Sequence, residues 1–451
     1  MKTFKLLIGA LLLTTTLAAQ SRKESCSPTI YYFQGRDVGS ICEFSSPDEA
    51  KKYVESRNSE QKALDEAVAI DYLTSSEGTS QCQSQPIFVF AQKENRFSIA
   101  IGGFVNLRTS YDVKGVVENL DFITSDIPTV SSPMTRQQLQ MDASTSRLYF
   151  KALANTRALG QVMIYMDFDM RGGESGSYSP RLRTGYASFL GFTLGRDVTT
   201  FCDLSASPQT IDFQGPNAYN YNYATLLRYE RSICNERLGL GIAFEMPQVS
   251  GTYNMYFQPM PQRMPDIPIY AEYEFGATRQ HHIRASAVFR DMYTYNELTE
   301  ETNAIFGWGT QLSGNIAFAP WIKLLFNGVY GQGITQYIQD LTGSGLDFTP
   351  NPETGTQLQT MPMYGAQGSL AISPTSRMTL NGGYSAVVVE KKNGYVSDDE
   401  YKRGQYIFGN IFYSVTPRMQ VACEYLFGSR ENMDMSKGKA NRVSLMAQYN
   451  F

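Results

Sequence analysis

Asp203 and Asp212 are the only charged residues between Asp197 and Arg228 in this chain of 451 residues. They belong to a non-periodic segment, residues 195–217, that separates two runs with the alternation of β-strands. A segment of this length inside a compact β-structure is usually functional or disordered. Its aromatic and aliphatic side chains favour packing over disorder. We therefore expect residues 198–222 to fold into the lumen of a barrel, where the two carboxylates would act on the charge of passing solutes.

A set of basic side chains on strand-like runs would oppose these carboxylates. Alternation of side chains places this set on the inner face. Its members are Arg108, Arg147, Lys151, Arg181, Arg183, Arg228, Arg284, Arg290, Lys323 and Arg442. A guanidinium group stays charged and binds carboxylates through two parallel hydrogen bonds. Opposed charges across a narrow aqueous gap orient polar solutes and select among them by charge.

Part of this set comes from strands that are neighbours in a closed barrel. We expect one basic wall, facing both loop carboxylates, to be formed by Arg108, Arg147, Lys151, Arg181, Arg183 and Arg442. The alternative is that the basic and acidic side chains form a ladder of ion pairs along the inner wall with little selectivity.

The sequence gives little support for an enzyme active site. The only histidines, His281 and His282, are adjacent, so alternation points at most one of them inward, and no Gly-x-Ser-x-Gly motif accompanies it. The spacings of the six cysteines and two histidines do not resemble a zinc site, so neither a metal nor a cofactor is expected. The net charge of −4 gives no support for a nucleic-acid partner. A barrel-bound hydrolase that uses His282 is the least favoured hypothesis.

The elements that position these residues are strands of roughly ten residues with apolar and polar side chains in alternation. This alternation is typical of a transmembrane barrel, and a charge on the lipid face would cost roughly 2–4 kcal/mol near the membrane midplane. No apolar run of 18 residues occurs after the N-terminus, which argues against membrane-spanning helices. The alternating runs are 97–108, 147–152, 162–169, 238–244, 283–290, 322–327 and 443–451.

The connections between the runs are alternately short and long. Long polar loops are predicted at about 114–145, 171–180, 198–222, 247–266, 291–301, 334–357, 391–402 and 430–439. Short periplasmic turns and long extracellular loops characterise outer-membrane barrels. Eight loops and seven turns predict an all-β, antiparallel transmembrane barrel of about sixteen strands, which is wide enough for an aqueous channel.

The N-terminal region differs from the rest. Residues 1–19 have a basic start, a short apolar run and a small-residue cleavage site, the pattern of a signal peptide. Residues 20–96 are predicted to be a small periplasmic extension, with a helix that opens at Ser46 and a linker at 74–85. Cys26 joined to Cys42 or Cys82 is the disulfide that we consider. The barrel would then comprise residues 97–451, in the bacterial outer membrane.

The segment 195–217 also carries a family resemblance. Its patterns Gly-Arg-x-x-Thr-Thr-Phe-x-Asp (195–203) and Pro-x-Thr-Ile-Asp-Phe-x-Gly-Pro (208–216) resemble the DcaP-like family of bacterial porins. The resemblance implies a homotrimeric, sixteen-stranded channel with a lumen loop after the fifth strand, for small and often anionic solutes such as dicarboxylates. It also implies a periplasmic helical segment, which in some members forms a coiled coil; the cysteines and the Tyr31-Tyr32-Phe33 stretch here depart from that pattern.

These observations predict a porin for passive diffusion of small hydrophilic solutes, embedded in outer-membrane lipid and without enzymatic activity. The alternative hypothesis is a surface-exposed binding or scaffold barrel whose long loops recruit a partner while its lumen is plugged.

Overall fold

The barrel wall consists of sixteen antiparallel strands. The computed structural model describes residues 29–33, 88–92, 97–115, 120–174, 176–397 and 400–451. The strands are β1 (Phe97–Lys114), β2 (Arg147–Thr156), β3 (Gly160–Gly172), β4 (Ser179–Phe189), β5 (Phe192–Val198), β6 (Tyr223–Ile233), β7 (Leu238–Glu245), β8 (Ile267–Phe275), β9 (His281–Asn296), β10 (Glu301–Ala319), β11 (Ile322–Gln332), β12 (Pro362–Thr375), β13 (Met378–Val389), β14 (Tyr401–Ser414), β15 (Met419–Asn432) and β16 (Lys437–Asn450).

Each strand pairs with the next one along the chain, and the last pairs with the first. The closing ladder between β16 and β1 runs from Asn441 opposite Lys114 to Asn450 opposite Phe104. The sheet is therefore closed, and the prediction of about sixteen antiparallel strands is confirmed.

Side-chain alternation sets which face of each strand meets the lumen. On β1, Val105 and Leu107 are 57% and 44% exposed on the outer surface, whereas Asn106 and Arg108 are 6% and 5% exposed. Successive side chains of a strand point to opposite faces. Because a charge costs far more than an apolar group on a lipid-facing surface, the polar half of each alternating run lies inside.

Short connections join the strands at one end of the barrel. They span residues 157–159, 190–191, 234–237, 276–280, 320–321, 376–377 and 415–418. The tightest is the two-residue turn Leu190-Gly191, in which both residues have positive φ, 51° and 83°. This is the hairpin geometry that matches strand twist, and a Cβ on Gly191 would lie 2.5 Å from the backbone oxygen of Glu230.

The long-loop end holds the other eight connections. They span residues 115–146, 173–178, 199–222, 246–266, 297–300, 333–361, 390–400 and 433–436. All eight lie where the sequence predicted loops. The connections at 297–300 and 433–436 are shorter than predicted because β9, β10, β15 and β16 extend beyond the membrane-sized alternating runs and stay hydrogen-bonded to each other.

The described residues N-terminal to the barrel form two short strands. Phe88–Gln92 pairs antiparallel with the start of β1, where Phe88 is opposite Ile101, and Thr29–Phe33 pairs parallel with Phe88–Gln92. The predicted signal peptide, the helix that opens at Ser46, the linker at 74–85 and the cysteines at 26, 42 and 82 lie outside the described residues. None of the described helices is both long and apolar enough to cross a membrane.

Several of the long loops fold into the barrel. Loop 333–361 contributes Ile334, Tyr337, Ile338 and Leu341, all 0% exposed, to a cluster with Phe201 of loop 199–222. In the same cluster are inward-facing apolar residues of the wall, Val288, Val329, Met363 and Val387. Loop 115–146 packs its Phe122 and Ile127 against β14 and β15. The lumen at the long-loop end therefore contains an apolar packing layer, and the inward apolar residues there are covered by loops rather than by water.

Candidate functional site

Residues 199–222, which we call the lumen loop, leave β5 and follow the inner wall before returning to β6. On the way out, the carbonyl oxygen of Ala206 accepts a hydrogen bond from Gln367 on β12. The carbonyl oxygen of Gln209 accepts another from Asn410 on β14. The lumen loop thus passes around more than half of the barrel, held by inward-facing amides that satisfy its buried backbone.

Asp203 attaches the first part of the lumen loop to β9 and β10. Its Oδ2 lies 2.8 Å from Nε2 of His282 and accepts a hydrogen bond from Oγ of Ser313 at 2.6 Å. Its Oδ1 accepts the backbone N–H of Ser205 and so caps the short turn Leu204–Ala206. Burial raises the pKa of the Asp203 carboxyl, but the hydrogen bond and charge of His282, with the charge of Arg284 and the Ser313 hydroxyl, lower it below its ordinary value.

Asp212 attaches the tip of the lumen loop to the opposite wall. Its carboxylate accepts hydrogen bonds from the backbone N–H of Phe122 at 2.9 Å and from the hydroxyl of Tyr406 at 3.0 Å. The backbone N–H groups of Ile211 and Asp212 both donate to the Glu424 carboxylate on β15. Burial and the neighbouring charge of Asp121 raise the pKa of Asp212 above its ordinary value.

The returning part of the lumen loop binds the wall through a second row of side chains. Ala218 accepts from Asn327 on β11 through its carbonyl oxygen, and its N–H donates to Ser385 on β13. Asn220 donates to Gln311 on β10. These contacts hold both halves of the lumen loop, so it forms a fixed ledge on the inner wall.

Facing the loop tip is a group of six arginines that we call the arginine wall: Arg108, Arg147, Arg171, Arg181, Arg183 and Arg442. They lie on β16 and β1 to β4, five consecutive strands of the closed sheet. Each is paired with at least one carboxylate; the partners are Asp112, Asp121, Asp142, Asp167 and Asp169.

The ion pairs within the arginine wall differ in strength. Arg181 holds Asp169 through two hydrogen bonds, at 3.0 and 2.6 Å, and Arg442 holds Asp112 in the same bidentate manner at 2.7 and 3.0 Å. By contrast, Arg147 and Arg183 lie 3.9 and 3.7 Å from Asp167. Bidentate pairs hold the arginine in a fixed orientation. Arg183 donates from Nη2 to the hydroxyls of Tyr221 and Tyr223, whereas its Nε and Nη1, and Nε of Arg147, have no hydrogen-bond partner among the described residues.

Phe213 is the residue through which the lumen loop contacts the arginine wall. Its ring centroid lies 4.6 Å from the guanidinium carbon of Arg171, 5.2 Å from that of Arg183 and 5.8 Å from that of Arg147. Cations at these distances from a ring are attracted by its negative face. The tip of the lumen loop is therefore held against three positive groups by a neutral side chain.

The structure brings together five of the predicted basic residues, Arg108, Arg147, Arg181, Arg183 and Arg442. Lys151 lies four residues further along β2 from Arg147, among the inward tyrosines of that end. Arg228 pairs with Asp197 and Glu230, and Arg284 pairs with Glu272 and stacks on Tyr270 at 3.6 Å. These last two lie on the β6 to β9 side, away from the arginine wall.

The two loop carboxylates do not both face the arginine wall as expected. Asp203 faces His282 and Ser313, because the lumen loop crosses β9 and β10 before it reaches the basic strands. Asp212 does share a small polar cavity with Arg108 and Arg442. The expected geometry is therefore wrong for Asp203, whereas Asp212 lies beside the wall.

Three contributors were absent from the sequence-based set. Arg171 was assigned to a loop, although it continues the inward parity of Asp167 and Asp169 on β3, which could have revealed it. Asp121 lies in a loop without periodicity, and no signal in the sequence marks it as the partner of Arg171 at 2.7 Å. Phe213 was counted only as a packing residue.

The arrangement around His282 differs from a hydrolytic triad. His282 lies between Asp203 and Asn315, with Nδ1 2.8 Å from the Asn315 amide nitrogen. Ser313 donates to Asp203 rather than to the imidazole. In a triad the histidine stands between the serine and the carboxylate, so this geometry does not activate Ser313.

A closed sixteen-stranded barrel with an inward loop and a charged lumen defines the class of outer-membrane porins. The family model of the DcaP outer membrane protein matches residues 54–340, and the chain belongs to this family. The protein is thus a channel-type barrel of the bacterial outer membrane.

Solved structures share the fold. The outer membrane channel DcaP of Acinetobacter baumannii is 19% identical with a TM-score of 0.69, over 80% of this chain and 99% of that one. OmpT of Vibrio cholerae without its loop L8 is 11% identical with a TM-score of 0.52, over 79% and 100% of the two chains. OmpF of Salmonella typhi is 11% identical with a TM-score of 0.52, over 79% and 98%. Among the curated proteins, no sequence matches this chain.

Proposed function

We propose that the protein is a passive-diffusion porin for small hydrophilic solutes, with a preference for small anions of the dicarboxylate type. The observation that supports this proposal is the arginine wall opposite the tip of the lumen loop. Positive groups at a narrowing of an aqueous pore lower the energy of an anion there and raise that of a cation.

Uncommitted guanidinium donors support recognition of carboxylates. Nε of Arg147, and Nε and Nη1 of Arg183, are buried without a hydrogen-bond partner among the described residues. Both guanidinium groups lie against the ring of Phe213. Because a buried N–H without an acceptor is costly, these donors would form charge-assisted hydrogen bonds with a solute carboxylate that displaces the ring of Phe213.

The charge balance limits the size of the preference. The arginine wall has six guanidinium groups and its ion-pair partners are five carboxylates, which leaves one positive charge in excess. Asp212 is a further carboxylate beside the wall, and burial together with the charge of Asp121 raises its pKa above the ordinary value. We therefore propose a moderate anion preference rather than strict exclusion of cations.

Two measurements test the proposal. Purified protein in planar bilayers should conduct, and its reversal potential in a KCl gradient should have the sign of chloride preference. Liposomes that contain the protein should swell faster in succinate than in a neutral sugar of similar size. A conducting channel with cation preference would contradict the anion claim and leave the porin claim intact.

We also propose that the protein forms homotrimers, as the family resemblance implies. The outer surface of the barrel presents exposed apolar side chains along every side, among them Val105, Leu107, Tyr425 and Leu445 on β1, β15 and β16. Such a surface suits outer-membrane lipid and subunit contacts alike. Native mass spectrometry from detergent would show three copies; a monomer at all detergent concentrations would contradict the trimer.

A second candidate is a barrel with a plugged lumen that binds a partner through its surface loops. The buried apolar cluster around Phe201, Tyr337 and Leu341 inside the barrel favours it. Absence of conductance from correctly folded protein would support this candidate over the porin. Conductance that rises when part of loop 333–361 is deleted would show that the loop narrows an open pore.

A further inference from the structure

Asp203, Glu272 and His282 form a cluster of metal-ligand type at the first attachment point of the lumen loop. They come from three separate elements, the lumen loop, β8 and β9. One possible ligand atom from each lies within 4.8 Å of the other two, and the shortest contact joins His282 Nε2 to Asp203 Oδ2 at 2.8 Å.

We propose that these three residues bind a divalent transition-metal ion of the zinc type, which cross-links the lumen loop to the barrel wall. Zn²⁺ binds both imidazole nitrogen and carboxylate oxygen, and zinc sites with three protein ligands keep a fourth position for water. Mg²⁺ and Ca²⁺ prefer oxygen ligands alone, so the histidine favours zinc over those ions.

Small movements bring the ligand atoms to metal-binding distances. Bonds of about 2.1 Å in tetrahedral geometry place ligand atoms roughly 3.4 Å apart. His282 and Asp203 would separate slightly from 2.8 Å, and the Glu272 carboxylate would move inward. The side chain of Glu272 is 24% exposed, whereas those of Asp203 and His282 are 2% and 6% exposed. Two ligands are therefore fixed by packing, and the third is free to close on the ion from the solvent side.

The surroundings of His282 suit a metal ligand. When Nε2 binds a metal, Nδ1 carries the proton and requires an acceptor. The amide of Asn315 lies 2.8 Å from Nδ1, and its Oδ1 is buried without a hydrogen-bond partner among the described residues. Rotating this amide by half a turn presents Oδ1 to the Nδ1 proton and gives up the hydrogen bond that Nδ2 donates to the carbonyl oxygen of Ser205.

Nearby groups hold the carboxylates in place. Ser313 donates to Asp203 Oδ2, and Arg284 lies 3.6 Å from Glu272 Oε2 while it donates to the carbonyl oxygen of Thr200. The Arg284 guanidinium lies over the ring of Tyr270 at 3.6 Å, which limits its approach to the cluster. On metal binding, Glu272 would therefore lose its long contact with Arg284 and gain a bond to the metal.

The test is to titrate the full-length, folded protein in detergent with ZnCl₂ and to measure binding by isothermal titration calorimetry. Exposed thiols, including Cys234 and Cys423, are first blocked with N-ethylmaleimide so that they bind no zinc. We expect about one Zn²⁺ per chain. Substitutions His282→Ala and Glu272→Gln should each weaken binding at least roughly tenfold, and MgCl₂ should not compete.

His281→Ala is the matched control, because His281 is adjacent but belongs to the opposite face of β9 and accepts from the backbone N–H of Ala317. It should leave zinc binding unchanged. If His282→Ala does not fold, Glu272→Gln decides, and Co²⁺ should give the absorption of tetrahedral coordination in the wild type but not in this variant. No zinc binding, or binding that neither variant weakens, would overturn the proposal.

Discussion

Replacing Arg181 should reduce anion preference by an amount that follows from simple electrostatics. The Arg181 side chain is 41% exposed in the lumen while it holds Asp169. Its substitution by glutamine removes the single excess positive charge of the arginine wall. Asp169 keeps a second arginine, since Nε of Arg183 lies 3.6 Å away, so the wall should stay folded.

The expected size comes from Coulomb's law. A solute ion about 6 Å from the lost charge, in water-like surroundings, loses about 0.7 kcal/mol of interaction, which is about a threefold change in local anion concentration. The screening length is about 10 Å at 0.1 M salt and about 3 Å at 1 M. The ratio of chloride to potassium permeability in the Arg181→Gln variant should therefore fall severalfold at 0.1 M salt, with little change at 1 M.

Arg279→Gln is the matched control. Its side chain is 40% exposed and ion-paired like that of Arg181, but it lies in the turn 276–280 at the short-turn end. Reversal potentials of both variants and of wild type would be measured in the same KCl gradients. Unchanged selectivity in Arg181→Gln, or an equal change in Arg279→Gln, would refute the assignment of selectivity to the arginine wall.

Three further outcomes follow from the contacts of the lumen loop and its neighbours. Phe213→Ala removes three cation–π contacts of about 0.5–1 kcal/mol each, so single-channel currents should become larger and noisier, and Phe213→Tyr should retain wild-type currents. The pKa of Asp203 is lowered in the folded protein. Its ionised carboxylate therefore stabilises the folded state above the unfolded pKa of about 3.9, and this stabilisation is lost as the pH falls further. Wild-type currents should become unstable below about pH 4, whereas those of Asp203→Asn should already be unstable at pH 7. Arg290 is buried between Asp266 and Asp347, at 3.0 and 3.1 Å from their carboxylate oxygens. Arg290→Ala should destabilise the barrel by about 3–5 kcal/mol, so the temperature at which the folded barrel changes its mobility on a gel should fall. An unchanged temperature would contradict a stabilising role for these three residues.

The strand plan was predictable because it is a local property of the sequence. The face on which a strand residue lies depends only on its neighbours one and two positions away. This is why Arg108 and Arg442 were predicted inward and are found there, 5% and 1% exposed, although they are separated by more than 300 residues. Loop positions followed from the same alternation, whereas loop lengths did not, because strands continue beyond the membrane-sized runs.

The partners of the site residues were not predictable in the same way. Asp203 was expected to face arginines and faces His282, 79 residues away in sequence. Glu424, the acceptor for the loop tip, lies 212 residues from Asp212. Charge alone could not choose between these partners, because several carboxylates and guanidinium groups have the right parity and only the path of the lumen loop brings particular ones together.

By itself, therefore, the sequence determined the closed barrel wall, its inward basic residues and the existence of a packed segment after the fifth strand. Only the tertiary structure decided that Phe213 is the lumen-loop residue that meets Arg171 and Arg183, and that Asp203 meets His282 and Glu272. The physical reason is that strand alternation depends only on residues adjacent in the sequence. The docking of the lumen loop is a sum of contacts between elements distant in sequence, and these form only when the barrel closes around it.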